Sequence, residues 1–386
     1  MRTLCQCFFY ISTSIALLTM ASTCQAETDN SSIINGVSVY YPPLVGDEWQ
    51  AIDSRYGGWD KNKLEKTVEF VGENKSTAFL IIQKGRIVSE NYWQGWNQHS
   101  RDIIYSASKT IVAFLLGKRL EQGLINSIDD PMSDYLGAGW LTLNEPGCRN
   151  YPHEHELTIR HAITMTSGLR ESLLFNRIHC IGWVTADSEW NYNTMVYRKA
   201  IDIIAKDLNN TDQLNKFSHD VLFNKIGMQH TDWIIEDYRL QSSARDMARF
   251  GLMMLYGGQW NGEDIVQDKQ YLQQMLSSAN PFNLSYGYLT WLNGKSKHML
   301  PRDKAIHDGP FIPQAPADMY MALGHGDKKI YVVPSLHLVV VRHGPAAYRN
   351  DLALTQFDKD LWQRLCAANS RCIPAASRSS GIQSGN

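Results

Sequence analysis

Strand-like segments lie toward both ends of the chain, with a long helical stretch between them. This separation constrains the fold more than any other feature of the sequence. Toward the N-terminus, Ala78-Phe79-Leu80-Ile81-Ile82-Gln83 and Arg86-Ile87-Val88-Ser89-Glu90-Asn91-Tyr92-Trp93 flank Lys84-Gly85, a pair suited to a hairpin turn. Toward the C-terminus, Met319 to Leu323, Lys329 to Val333 and Leu336 to Arg342 are closely spaced strand candidates, the last two separated by Pro334-Ser335. Tyr286 to Leu292 alternates as a strand does. Between about residues 101 and 280 the apolar spacing is helical: Ser106 to about Gly123, a short segment after Asp129-Asp130-Pro131, one capped by Thr158, then Thr194 to Asp207 and Ser243 to Tyr256. Further helices are expected from Trp59 to about Val71 and from about Asn350 to Cys366. The pattern predicts an α/β (α+β) fold: one antiparallel sheet drawn from both termini, flanked by helices, with an inserted and mostly helical lobe. The cleft between the lobes is the natural place for a site.

The chain has 386 residues, 44% of them hydrophobic and 20% charged, enough apolar material for one large two-part domain. The formal net charge of -2, without a strongly basic or acidic block, argues against nucleic acid or an anionic membrane as main partner. Residues 1–26 read as a signal peptide. Arg2 precedes an apolar run from Phe8 to Leu18, and small residues lead to Cys24-Gln25-Ala26, with polar Glu27-Thr28-Asp29-Asn30 beyond. The apolar core is shorter than the roughly 20 residues a membrane span needs. Cleavage after Ala26 therefore leaves 27–386 as a periplasmic or secreted domain without a span. Its Ser-, Gly- and Ala-rich end, about 373–386, is expected to be disordered. Of seven cysteines, Cys148, Cys180, Cys366 and Cys372 remain after cleavage. Cys148 with Cys180 and Cys366 with Cys372 is one of three possible connectivities in an oxidising compartment; four free thiols is the other reading.

Three short motifs carry chemistry. Ser106-Ala107-Ser108-Lys109 is the one Ser-x-x-Lys in the chain. At a helix start, Lys109 falls one turn after Ser106 on the same face, within reach of its hydroxyl. A serine hydroxyl needs an adjacent base to act as a nucleophile, and a lysine serves when burial lowers its pKa. The bland reading is a serine cap beside a solvated lysine. Trp190-Asn191-Tyr192-Asn193-Thr194 precedes an amphipathic helix. Its phenol can relay a proton, and Asn193 or Thr194 can orient a substrate amide; a core tyrosine before an ordinary cap is the alternative. In Gly324-His325-Gly326-Asp327-Lys328, the glycines allow close approach to a strand backbone. An N–H there can join that of Ser106 in an oxyanion hole, while His325 binds a substrate carboxylate or tunes Tyr192 and Lys109. A tight turn with an exposed histidine is the bland reading.

Ser-x-x-Lys, then Tyr-x-(Asn or Ser), then Lys-Thr-Gly or His-Gly before a strand is an order that resembles serine β-lactamases and penicillin-binding proteins. The resemblance is nearest to the β-lactamase-related hydrolases, which include 6-aminohexanoate-dimer hydrolases, D-stereospecific peptidases and esterases of the same fold. Leu157-Thr158-Ile159-Arg160-His161 with Met165-Thr166-Ser167-Gly168-Leu169 is similar to a family segment, as are Ser243-Ala244-Arg245-Asp246 and Tyr331-Val332-Val333-Pro334. The similarity spans roughly residues 40 to 365. It implies Ser106 as the acylated serine, Lys109 as base, Tyr192 as proton relay and His325 at the third-motif position. Asn193, Thr194, Gly324, Gly326, Asp327 and Lys328 are implied to line the substrate site. The implied reaction is hydrolysis of a small-molecule amide or ester through an acyl-enzyme, without metal or organic cofactor. Two departures point away from efficient β-lactam hydrolysis. Thr194 stands two residues after the tyrosine, and Asp327-Lys328 follows His-Gly, adding charge where family strand residues face substrate.

Other readings remain open at this stage: a β-lactamase or D-stereospecific peptidase, or a penicillin-binding sensor that acylates without turning over. His153-Glu154-His155 with His161 is better read as a solvated loop than as a metal site, because no further ligand set accompanies it. No Gly-x-Ser-x-Gly occurs, which argues against an α/β-hydrolase. Oligomeric state is not encoded legibly.

Overall fold

The structure, a computed structural model, describes residues 30–34, 36–172, 177–208, 211–234, 238–348 and 354–379. The expected signal peptide and the last residues of the expected disordered tail lie outside the described residues. Among the described residues, no helix is long and apolar enough to cross a membrane.

The sheet is drawn from both ends of the chain. The hairpin Ala78–Gln83 and Arg86–Tyr92 turns through Lys84 and Gly85, both at positive φ (50° and 80°), as the twist of a two-residue hairpin requires. Only glycine fits at the second position, because a Cβ on Gly85 would lie 1.6 Å from the Tyr40 carbonyl oxygen. Ala78–Gln83 then pairs with Leu338–His343, which brings the N-terminal hairpin onto the C-terminal strands. The full order is Trp291–Leu292, Tyr320–Gly324, Lys328–Val333, Leu338–His343, Ala78–Gln83, Arg86–Tyr92, antiparallel throughout.

Both faces of the sheet are covered, so its inner strands Tyr320–Gly324, Lys328–Val333, Leu338–His343 and Ala78–Gln83 are buried along their whole length. The helix Ala244–Leu255 packs on one face, where a Cβ on Gly251 would meet Val339 at 2.6 Å and Ile330 at 3.1 Å. Tyr331 points the other way and meets Trp362 of the helix Gln356–Ala368 edge-on at 5.4 Å. The helix Lys61–Glu73 joins that second layer by stacking Phe70 on Phe357 at 5.8 Å.

The helical lobe centres on Ser108–Glu121, whose residues 108–117 are all buried. A helix apolar on nearly every side belongs in an interior. Tyr271 donates its hydroxyl to the Ala113 carbonyl (2.7 Å), and Thr110 donates to Leu289 (3.1 Å). Thr158 caps Ile159–Thr164 in a capping box with His161, and Ser243 caps Ala244–Leu255.

Two expectations differ from the observed structure. Of Tyr286 to Leu292, only Trp291–Leu292 is strand. Tyr286 bridges back to Trp291 and Leu289 sits at φ 50°, so the segment doubles on itself. The residues from Ser285 to Asn293 are all buried, so the apparent alternation reflected a buried loop rather than a two-faced strand. The start of the expected tail is also ordered: Ala375–Ser379 is a short helix, with the Ala375 N–H bonded to the Ala315 carbonyl (2.8 Å). Disulfides join Cys148 to Cys180 and Cys366 to Cys372.

Candidate active site

Ser106 sits in a single 3-10 turn, Tyr105–Ala107, that feeds directly into the buried helix. The turn is braced locally. Tyr105 adopts a left-handed φ of 48°, unusual for a bulky residue, and its carbonyl accepts the Ser108 hydroxyl at 2.7 Å. The last residue of strand Tyr320–Gly324 presses against this turn. A Cβ on Gly324 would lie 2.2 Å from the Ile104 oxygen and 3.1 Å from the Ala107 nitrogen, so only glycine fits.

Lys109 donates to the Ser106 hydroxyl at 3.1 Å. Its side chain is buried, and burial pulls its pKa from the ordinary 10.5 down to about 7. Glu171 opposes this shift and Arg198 reinforces it, both by charge. Rings replace much of the lost hydration: Nζ lies 4.0 Å from the centre of Tyr197 and 5.0 Å from that of Tyr192.

Tyr192 completes the cluster. Burial pushes its phenol well above the usual tyrosine range, and hydrogen bonding to Ser106 pulls back against that rise. Its ring is held by neighbours from distant segments, stacked on Trp291 at 6.1 Å and edge-on to Tyr286 at 6.3 Å. The segment misread as a strand is therefore the wall behind the phenol. Across the site, His325 stands edge-on to Tyr105 at 5.3 Å. The structure thus brings Ser106, Lys109 and Tyr192 together and sets His325 beside the residue preceding Ser106.

The side chains of Asn193, Asp327 and Lys328, expected to line the substrate site, are engaged inside the protein. The Asn193 side chain is buried and caps the helix Thr194–Ile204, accepting from Met195 and Val196 at 3.0 Å each, while its amide donates to Leu169. The backbone N–H of Thr194 donates to Glu171. The Asp327 carboxylate turns inward to the Ala347 N–H (2.9 Å) and the Thr355 hydroxyl (3.0 Å). Lys328 is likewise buried, on the Gly344 carbonyl at 2.7 Å. The reason is the turn itself: Gly326 and Asp327 are both left-handed (φ 71° and 56°), which swings the following side chains into the protein. Gly324 and Gly326 contribute backbone only.

Tyr197, Glu171 and Trp291 were missed in the sequence. Tyr197 had a faint signal, since it shares a face with Ala200, Ile201 and Ile204 and so reads as core. Glu171 lies in the polar run Arg170-Glu171-Ser172, where one more charge carries no signal.

Comparison with known proteins bears on the family and the fold. Residues 64–342 match the Beta-lactamase family profile, a span that contains Ser106, Lys109, Tyr192 and His325. No curated protein matches the chain. Among solved structures, "Putative 6-aminohexanoate-dimer hydrolase from Bacillus anthracis" superposes with a TM-score of 0.63 at 15% identity, covering 89% of this chain and 91% of its own. "Crystal structure of putative beta-lactamase from Bacteroides dorei DSM 17855" gives 0.61 at 13% identity, over 81% and 99%. A D-stereospecific amidohydrolase from Streptomyces sp. gives 0.55 at 13% identity, over 80% and 98%. At such identities the likeness is one of fold. With the profile spanning most of the chain and the same fold recurring in these structures, the chain belongs to the Beta-lactamase family.

Proposed function

We propose that the protein is a serine hydrolase that cleaves a small amide or ester through an acyl-enzyme on Ser106. The observation that carries this reading is the 3.1 Å contact between Ser106 and a buried Lys109 whose pKa lies at about 7. Near neutral pH, about half of such a lysine is unprotonated and able to accept the serine proton.

Tyr192 is tuned the opposite way. A phenol raised above its usual range stays protonated, so it suits proton delivery to the leaving amine or alkoxide rather than proton removal. Two neighbouring groups with pKa values pushed apart divide the acid and base work between them. Lys109 is accordingly the base for attack by Ser106 and for the water that releases the acyl group. The backbone around Gly324, packed on the nucleophile turn, is the place for an oxyanion donor to pair with the Ser106 N–H. With Asn193, Asp327 and Lys328 engaged inside the protein, the polar side chains left to meet substrate include exposed His325 and Tyr105 and half-buried Thr194. That modest rim favours a small, weakly charged ester or amide over a β-lactam carrying a carboxylate that needs a cation.

The test is covalent labelling. Wild-type protein should take one fluorophosphonate on Ser106 and release p-nitrophenol steadily from a short ester. Ser106→Ala should lose both activities while remaining folded by circular dichroism. Labelling that persists in the folded variant removes Ser106 from this role. A single burst without turnover in the wild type identifies a sensor that acylates once.

A further inference from the structure

Lys328 was expected to face substrate, but its side chain is 4% exposed and lies behind the nucleophile turn. Its ammonium has three neighbours from two distant parts of the chain. It donates to the Gly344 carbonyl at 2.7 Å, just past the end of strand Leu338–His343. It pairs with the Asp102 carboxylate at 3.1 Å, and it lies 5.8 Å from the centre of the Tyr105 ring. Asp102 belongs to the short strand Arg101–Ile103 that leads into Ser106, and its other oxygen accepts the Ile103 N–H at 2.8 Å.

These contacts converge on a strained element. Tyr105 holds a left-handed φ next to the nucleophile, a conformation that is unfavourable for a bulky residue and persists only where its surroundings enforce it. Ser108 and Gly324 brace the turn from the helix and strand sides. The lysine and aspartate brace it from behind, fastening the incoming strand to the end of the sheet.

We infer that Lys328 and Asp102 form a positioning pair that holds the Tyr105–Ser106 turn in its reactive shape, so that Lys328 acts on the reaction through the turn and not by touching substrate. The inference rests on Ser106 being the nucleophile. In an acyl-transfer reaction, a displacement of about 1 Å at the nucleophile can cost 10²-fold in rate. The loss falls on kcat, because the substrate pocket is unchanged.

The experiment compares steady-state ester hydrolysis by wild type, Lys328→Met, Asp102→Asn and the double variant, with Ser106→Ala as reference. Lys328→Met keeps the buried stem and deletes the charge; Asp102→Asn alters a half-exposed residue and preserves the fold if the lysine variant does not. The expected result is a kcat loss of about 10- to 100-fold in each single variant with KM unchanged. The double variant should lose no more than the worse single, because the two residues act as one unit. A raised KM at constant kcat places Lys328 in the substrate site and overturns the inference. Unchanged kcat and KM in folded Asp102→Asn, or strictly additive losses, also overturn it. Activity that survives Ser106→Ala marks a failure of the nucleophile assignment itself, which is a separate outcome.

Discussion

Two fully buried lysines, Lys109 and Lys329, have opposite surroundings. Lys329 is 0% exposed and lies between two carboxylates, 3.0 Å from Asp358 and 3.3 Å from Asp327. Tyr331 donates to Asp358 at 2.7 Å and Thr355 donates to Asp327 at 3.0 Å, so the acids of this cluster are themselves hydrogen-bonded. Lys109 makes no salt bridge among the described residues. It has two rings and a serine hydroxyl, with Glu171 and Arg198 acting from farther off in opposite senses. A buried ammonium set between carboxylates fastens structure, whereas one given only rings and a hydroxyl holds its proton loosely. The molecule uses the first arrangement to tie the sheet to the helix Gln356–Ala368 and the second beneath Ser106.

The comparison makes opposite predictions for one substitution. Lys109→Met should lower kcat/KM by about 10³-fold or more, because the serine loses its base. The same change should stabilise the fold. The folded pKa of about 7 lies below the ordinary 10.5, so unfolding takes up a proton between those values. Stability of the wild type therefore rises with pH across that window, and the gain from Lys109→Met is largest below pH 7 and fades toward 10.5. Denaturant melts of both proteins at several pH values measure it. A variant that is less stable than wild type at neutral pH would show that Lys109 is held as a structural cation.

Lys329→Met should do the reverse. It leaves two buried carboxylates facing each other, at a stability loss of about 3–5 kcal/mol, while the turnover of molecules that remain folded is unchanged. Urea melts and active-site titration separate the two quantities. The smallest effect is expected at Tyr197→Leu, which removes the nearer ring under Lys109. A cation–π contact of about 0.5–2 kcal/mol lost from the charged form lowers the lysine pKa by about 0.4 to 1.5, moving the acid limb of activity downward. Tyr197→Phe, which keeps the ring, should leave that limb in place.

The sequence made the paired elements of this site legible and left its surroundings obscure. Ser106 and Lys109 could be read because one helical turn fixes their separation wherever the helix lies. Tyr192 was legible only through the order of the three motifs, since a tyrosine before a helix cap by itself reads as core. The both-ends sheet followed from where the strand-like runs lie. Side chains beyond a turn were not legible in this way. Two successive left-handed residues, Gly326 and Asp327, rotate Lys328 into the interior, and nothing in His-Gly-Asp-Lys announces them. Nor could Trp291 or Tyr286 be assigned to the wall behind the phenol, since alternating apolar residues look alike in a strand and in a buried loop.

The proton affinity of Lys109 is the central claim, and the pH dependence of Ser106 acylation by a neutral fluorophosphonate measures it directly. The rate should rise about tenfold per pH unit on the acid side, bend near pH 7 and level off above it, with every adduct on Ser106 by mass spectrometry. In Lys109→Met the bend should vanish along with most of the rate. A wild-type rate that stays flat across neutral pH, or keeps rising toward the ordinary lysine pKa of 10.5, would contradict the account.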